Sequence, residues 1–486
     1  MTYKKILLIQ GIYLILVVVC FGDALNYYFT KEDFLQLDIG GGNSFIKQMT
    51  PHLMIFRPLT HYGYFAAGRF LFGLNPPLWH SSNLVLHAFT ALLVCLFAHR
   101  MISDSYVSFL SGLLYLTHLA NIHLIYWVTS AIQTLSLITA LAVWLLYLEA
   151  VKRDRWSVGA LCTFAFALAL MANEVNVMVP VMTITFWWFF LKASERRSSA
   201  LRINLWLWAT LTFYVLVRVI GYWHGGGQKV TQIYDMKISA AIPRNIVEML
   251  AMTINSLYFL SNVLVEKGTL NHLYDLLWNW AMGSLVLAGA IVCIAKREPI
   301  IRFIRNHSHT FKSAVFCLLW IFAFMLPASY IPIVWPWRIT NSLVGYNLLL
   351  AYVLTRVSGR RAGYLILIAA LVIWGWWGMA QIRKYGDPYI RIDHFQKVCR
   401  NIAADTDLYL KLYPEVAEIL TPSLYSNDEF FVATFAGQQF RLLLPKRVSY
   451  LLSAYEHDAA KHMMVLSYSE RDSHLYLQEI VRPEQR

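Results

Sequence analysis

Long apolar runs separated by short polar segments fill most of the first 385 residues of this chain. A helix needs roughly 20 apolar residues to cross a hydrocarbon core, and the pattern predicts about eleven such helices. The first covers residues 5–22 and the second 80–98; a close pair flanks THLANIHLIYW, the seventh covers 203–222 and the eighth 276–295. Between the seventh and eighth, IVEMLAMTINSLYFLSNVLV is apolar yet carries Glu248, and it reads as a helix lying on the membrane face. After residue 385 the period changes. QKVCRNIAADTDLYLKL reads as a helix, while FFVATF, FRLLLP, MMVLSYS and LYLQEIV alternate at period two. Residues 386–486 are therefore expected to form a small α/β domain that ends in a hairpin.

Composition sharpens this reading. Of 486 residues, 58% are hydrophobic and only 14% charged, far from the balance of a soluble domain, and a polytopic α-helical membrane protein follows. The net charge of +13 falls in short clusters between apolar runs, such as Lys152, Arg153 and Arg155, or Arg356, Arg360 and Arg361. The positive-inside rule places those clusters in the cytoplasm, which puts a long first loop, residues 23–79, and the C-terminal domain outside. No basic stripe with interleaved aromatics is present, so nucleic acid is not an expected partner. The six cysteines have no metal-type spacing and lie mostly in apolar runs, which predicts neither disulfides nor a cysteine metal site. The first apolar run lacks a small-x-small cleavage pattern and reads as a retained span.

Candidate chemistry gathers on the outer face. Glu32 and Asp33, in TKEDF, follow the first span, and Arg57, His61, Arg69, His80, Glu174, Arg218 and Arg338 are expected at the same depth. Ionisable groups near a membrane are costly unless paired or facing a wet cavity, so such a gathering marks a site. Acids alone would suggest a cation path; acids with arginines suggest an anionic substrate beside a base. Guanidinium forks hold phosphate, and a carboxylate can take the proton of a hydroxyl. Plainer readings stand beside these: solvated charge for the acidic pair, snorkelling for Arg218, anchorage of a surface helix for Arg57, and a helix cap or an arginine partner for Glu174. His118 and His123 flank the turn of the close pair, as interfacial hydrogen-bonding groups or as ligands. VIWGWWGM and TFWWFF read as aromatic belts.

Five stretches, in order, resemble the GT-C superfamily of membrane glycosyltransferases, the group of protein O-mannosyltransferases and the aminoarabinose transferase of lipid A. They are the acidic pair after span 1, FRPLTHYGYFAAGRFLFGLNPPLWHSSNLVLHAFTALLV, LTHLANIHLIYWVTS, LALMANEVNVMVP, and Arg338 in a late outer loop. The second is similar to "RPL…FGxNPxxxHxxNLxLH" and carries Arg57, Pro58, Phe72, Gly73, Asn75, Pro76, His80, Asn83 and His87 in register. The chain departs at Glu32, where Asp is usual, at Leu119, Asn121 and His123, where the family has Pro, His and Glu, and at Asn173, where it has Lys. The resemblance covers about residues 1–360 and leaves the C-terminal domain unmatched.

The resemblance implies GT-C architecture with a long first outer loop. It implies a polyprenyl-phosphate sugar as donor and inverting transfer to a hydroxyl on the outer face. Glu32 or Asp33 is then the base, with Arg57, Arg218 and Arg338 as phosphate partners and His61, His80 and Glu174 as further substrate-binding candidates. Two carboxylates beside a phosphate leave room for a divalent cation. The acceptor is left open among a protein, a glycolipid and a polysaccharide. Absence of N-glycosylation sequons from the outside domain favours a bacterial inner membrane. The alternatives are a lipid or lipid-linked-glycan flippase, which would call for midplane charges or broken helices in paired repeats, and a non-catalytic scaffold.

Overall fold

The computed structural model describes residues 1–30, 32–41, 56–191, 197–224, 241–254, 308–331, 336–357, 361–385, 392–420, 439, 449–451, 463–469 and 474–481. Helix α1 (Tyr3–Phe21) leads through a 3-10 turn, Gly22–Asn26, to α2 (Glu32–Gly41). A π-helical turn, Pro58–Tyr64, continues directly into α3 (Phe65–Phe72). Helix α4 (Pro76–Ile102) starts on prolines, whose fixed φ suits a first turn, and stops at Ser103 in the left-handed region. Asp104 then caps α5 (Ser105–Thr117), accepting from the backbone N–H of Tyr106 at 2.8 Å. A 3-10 turn, Leu119–Asn121, α6 (Ile122–Tyr126) and a second turn, Val128–Ser130, lead into α7 (Ala131–Arg153). The remaining α-helices among the described residues are α8 (Trp156–Ala172), α9 (Met178–Phe186), α10 (Arg197–His224), α11 (Ala241–Ile254), α12 (Ser308–Ser329), α13 (Leu343–Val357), α14 (Arg361–Tyr385) and α15 (Ile392–Leu412).

Six helical stretches among the described residues are long and apolar enough to cross a membrane, or seven if α5 and the Leu119–Tyr126 stretch, bent by 52°, form one span. Helix α8 is a shorter apolar helix; its 17 residues rise about 25 Å, less than the roughly 30 Å of a hydrocarbon core. Leu343–Thr355 and Ile368–Ala380 are likewise short and apolar. The span expected at 276–295 lies outside the described residues, and so does the second half of the expected surface helix, whose first half is α11.

Burial separates centre from periphery. The span of α4 is 67% buried inside the bundle and that of α7 56%, against 22% for α1 and for α10, whose apolar faces are left for lipid. Around the central helices Phe97, Trp144, Phe186, Phe316 and Trp320 interlock; Trp144 meets Trp320 at 5.2 Å and Phe97 at 5.7 Å between centroids. Tilted and edge-on contacts of this kind suit the ring quadrupole and add to the area buried.

Helix α15 packs against a four-stranded sheet of order β2-β1-β3-β4. The strands are β1 (Glu418–Leu420), β2 (Ser449–Leu451), β3 (Met463–Ser469) and β4 (His474–Val481), with β1 parallel to both neighbours and β3 antiparallel to β4. Residues 430–435 and 440–445, expected as strands, lie outside the described residues. The apolar core of this unit is continuous with the first loop: Val398, Ile402, Met464 and Leu466 share one cluster with Phe34, Leu37, Phe65 and Trp79.

Glycine sets the approach of α1 to α5. A Cβ on Gly112 would lie 2.3 Å from the Tyr13 hydroxyl and 2.6 Å from the Ala91 carbonyl, whereas one on Gly11 would meet nothing within 4 Å. Gly112→Val should therefore cost about 1–3 kcal/mol by overpacking, read as a lowered melting temperature in detergent, while Gly11→Ala, in open space within a helix, should hold or slightly raise it. Equal melting of both variants and the wild type would contradict this packing.

Candidate functional site

The acidic pair opens α2, and TKED is a capping signature. The backbone N–H of Thr30 donates to Asp33 Oδ2 at 3.0 Å, and the N–H of Asp33 returns to the Thr30 carbonyl at 3.0 Å. The pattern is that of the backward half of a capping box, with a carboxylate in the first turn of α2 satisfying the N–H three residues before it. The other carboxylate oxygen is held from far along the chain. Thr129 donates to Oδ1 through its N–H at 2.7 Å and its hydroxyl at 2.6 Å. Asp33 has no exposed surface. Burial pushes its pKa up to about 7, with a smaller push from the Glu32 charge, against the lowering effect of the Thr129 and Thr30 hydrogen bonds. Glu32, its neighbour, remains partly exposed. Asp23, also at this end of the bundle, accepts from the Tyr126 hydroxyl at 3.0 Å.

The turn that offers Thr129 is fixed from α4. Asn83 Nδ2 donates to the Trp127 carbonyl at 2.9 Å. His80, one turn earlier on the same face, is wholly buried against Tyr27 and the backbone of Tyr28 and Ile125. The structure thus places His80 where the first loop, α4 and α6 meet.

A second grouping surrounds Arg57. Its Nε donates to Glu174 Oε2 at 2.7 Å, and the N–H of Phe56 reaches Glu174 Oε1 at 3.3 Å. The guanidinium of Arg218 lies 5.4 Å from the centroid of the Phe56 ring, a cation–π distance. Glu174 therefore acts here as an arginine partner. The cap of its turn is Asn173, whose Oδ1 accepts from the N–H of Val175 at 3.1 Å. Thr60 donates to the Ala172 carbonyl at 2.8 Å and fixes the Pro58–Tyr64 turn to the end of α8. Among the described residues two arginines and one carboxylate gather here, partly exposed.

His61 connects the two groupings. It lies one turn beyond Arg57, and its Nδ1 is 3.5 Å from Nε2 of Gln36, one turn beyond Glu32 on α2. Burial, then the nearby Arg57 charge, pushes its pKa down to about 3, so at neutral pH it is an uncharged ring. The Arg338 turn, Pro336–Ile339, packs on the Leu119–Asn121 turn and on α11. It is tied to the Glu174–Val177 turn through Asn341 Nδ2, which donates to Asn176 Oδ1 at 3.3 Å. Arg69, on α3, stands near Asp38 of α2. Among the described residues no three His, Cys, Asp or Glu side chains gather in a way that could hold a metal ion.

Thr30, Gln36 and Thr129 were not among the residues expected from sequence. The capping pattern in TKED was a legible signal for Thr30, whereas nothing local marks Gln36 or Thr129.

No family model matches the chain, and no curated protein matches it by sequence. Among solved structures it is similar to ArnT from Cupriavidus metallidurans bound to undecaprenyl phosphate, with 13% identity, 97% of this chain and 94% of that chain covered, and a TM-score of 0.50. The apo form of the same protein is similar at 12% identity and a TM-score of 0.49, covering 96% and 93% of the two chains. The likeness extends over nearly the whole length of both chains, and this chain shares the fold of that protein.

A carboxyl whose folded-state pKa stands above its unfolded value holds its proton more tightly when folded. Its stabilising contribution is complete below about pH 4 and is lost as pH rises through about 7. The melting temperature of the wild type in detergent should fall across that window, and Asp33→Asn should flatten the fall. Equally steep profiles would show that Asp33 is not the responsible group.

Proposed function

We propose that this chain is an inverting glycosyltransferase that moves a sugar from a polyprenyl-phosphate-linked donor to a hydroxyl of a protein, glycolipid or polysaccharide. The observation that carries this reading is the meeting, at one end of an ArnT-like bundle, of a carboxylate-bearing helix start and an arginine pair. Among the described residues, the hydrogen-bonding side chains of Gln36 and His61 link the two.

The two carboxylates differ in what they can do. Asp33 is buried, and its oxygens already receive three donors; it holds the start of α2 against the Val128–Ser130 turn. Glu32, partly exposed, is the base. It takes the proton of the acceptor hydroxyl as that oxygen attacks the anomeric carbon, and the bond from that carbon to the phosphate oxygen breaks on the opposite face. The departing polyprenyl phosphate carries away the bonding pair, and Arg57 and Arg218 stabilise the charge it gains. Glu174 orients Arg57 through Nε and places the rest of the fork. Arg338 supplies a further cation from the late loop, and His80 keeps the first loop seated. Undecaprenyl phosphate, the lipid bound by ArnT, has the charge and chain this arrangement would accept.

The reaction face is the outer side of a bacterial plasma membrane. Residues 386–486 stand on that side as well, a placement supported by the core they share with Phe34 and Leu37 of α2. They are positioned to select the acceptor.

Transfer from radiolabelled polyprenyl-phosphate sugars in membranes with matched expression tests this reading. Glu32→Gln should lower turnover by at least about a hundredfold, the contribution of a general base, with unchanged melting. Asp33→Asn should lower both activity and melting temperature, and Arg57→Ala should lose most transfer. Full turnover in Glu32→Gln would overturn the assignment of the base, and no transfer by the wild type from any such donor would overturn the function.

A further inference from the structure

Two polar atoms between the carboxylate helix and the arginine pair are left over. Gln36 is 5% exposed, and its Oε1 and the Nε2 of His61 are buried without a hydrogen-bond partner among the described residues. Buried polar atoms are nearly always satisfied, so two orphaned atoms on side chains that touch each other call for an occupant. Its hydrogen-bonding character follows from the one contact the two side chains make, at 3.5 Å. If Gln36 donates its amide N–H to His61 Nδ1, Oε1 remains as an acceptor and His61 Nε2–H as a donor. With the amide turned over, His61 Nδ1–H donates to the Gln36 oxygen, leaving the Gln36 NH₂ as donor and His61 Nε2 as acceptor. Either way at least one donor and one acceptor remain.

The location is equally informative. Gln36 lies four residues after Glu32, and His61 four after Arg57, with the N–H of His61 bonded to the Arg57 carbonyl at 2.9 Å. Residues four apart on a helical turn are neighbours. A group bound by this pair therefore sits one turn from the proposed base and one turn from the proposed phosphate partner, where the sugar of a phosphate-linked donor belongs.

We propose that Gln36 and His61 form the sugar subsite of the donor, and that they read a hydroxyl of a neutral sugar. This rests on the glycosyltransferase reading above. A hydroxyl donates one hydrogen bond and accepts another, which the pair supplies in full. An ammonium has three donors and no acceptor. It would meet one acceptor and one opposing N–H, with the Arg57 charge a turn away, and burying it so poorly paired is costly. The low pKa of His61 agrees, because the ring stays neutral at the pH of the membrane surface. The pair therefore favours a neutral hexose over a cationic amino sugar.

The test compares binding of three probes to the purified full chain in detergent: undecaprenyl phosphate, undecaprenyl-phosphate hexoses (glucosyl, mannosyl and galactosyl), and the 4-amino-4-deoxyarabinosyl lipid. Wild type should bind at least one hexose lipid more tightly than both the bare phosphate and the amino-sugar lipid. Gln36→Leu and His61→Phe should each weaken that hexose lipid at least about tenfold, the loss of one buried hydrogen bond, while bare undecaprenyl phosphate binds as before and shows that the fold persists. Tighter binding of the amino-sugar lipid would overturn the assignment. So would variants that keep the hexose preference, since a buried water would then be the occupant, or variants that lose the bare lipid as well, since the pair would then act on the fold. If the wild type bound no undecaprenyl lipid, the donor reading itself would fall and the subsite with it. Bare-lipid binding thus separates failure of that reading from failure of the subsite alone.

Discussion

A carboxylate with no access to water has to be held by donors or by its own proton, and at Asp33 both forces act. Three donors converge on it from two places in the chain, Thr30 three residues before it and Thr129 on the turn after α6. Burial opposes them and raises the pKa toward neutrality. The start of α2 is defined by this contact, and so is everything α2 carries: Glu32 beside it, Gln36 a turn on, and the apolar Phe34 and Leu37 that enter the core shared with the C-terminal unit. Were the carboxylate only solvated charge, α2 would be held by its apolar face alone, and nothing polar would set the position of its first turn.

That contact in turn depends on how the bundle tolerates a bend. Where α5 breaks by 52° into the Leu119–Tyr126 stretch, backbone carbonyls lose their helical partners, and inside a membrane there is no water to replace them. Side chains fill the gap. Asn121 Nδ2 donates to the Tyr115 carbonyl at 2.6 Å, His87 Nε2 to Leu116 at 3.0 Å, and Asn83 to Trp127. His118 accepts from the N–H of Ala120 and donates to the Thr253 carbonyl on α11. Asn83 and His87, four residues apart on α4, thus complete the backbone of the bent segment. The turn that presents Thr129 is rigid because α4 supplies what the bend removes.

Period and composition made the apolar spans legible, together with the change of period after residue 385, because those signals are local. The ionisable residues were legible as a set, since charge near a membrane demands explanation. Their partners were not. Arg57 and Glu174 stand 117 residues apart and Asp33 and Thr129 96 apart, and no window of sequence contains either pair. Glu174 and Asn173 illustrate the limit: one was expected either to cap a helix or to pair with an arginine, and only the fold divides those tasks between the two neighbours. Gln36 escaped for a different reason. A neutral amide one turn after two carboxylates gives no charge signal of its own, and its significance comes from lacking a partner, which only the fold reveals. His61 was singled out as a residue type able to carry charge, while its buried surroundings make it a neutral one.

The continuity of the core beyond α2 has a mechanical consequence. Val398 and Ile402 on α15 pack into the same cluster as Phe34 and Leu37, and Arg400 donates to the Asn26 carbonyl of the first loop. Interiors at this density have no slack, so a displacement of α15 by an ångström has to be taken up by its neighbours. Among those neighbours are the residues directly after Glu32. On the proposed function, an acceptor docked on the C-terminal unit would press on the same packed core as the helix that carries the proposed base, so acceptor recognition and alignment of that carboxylate would be coupled.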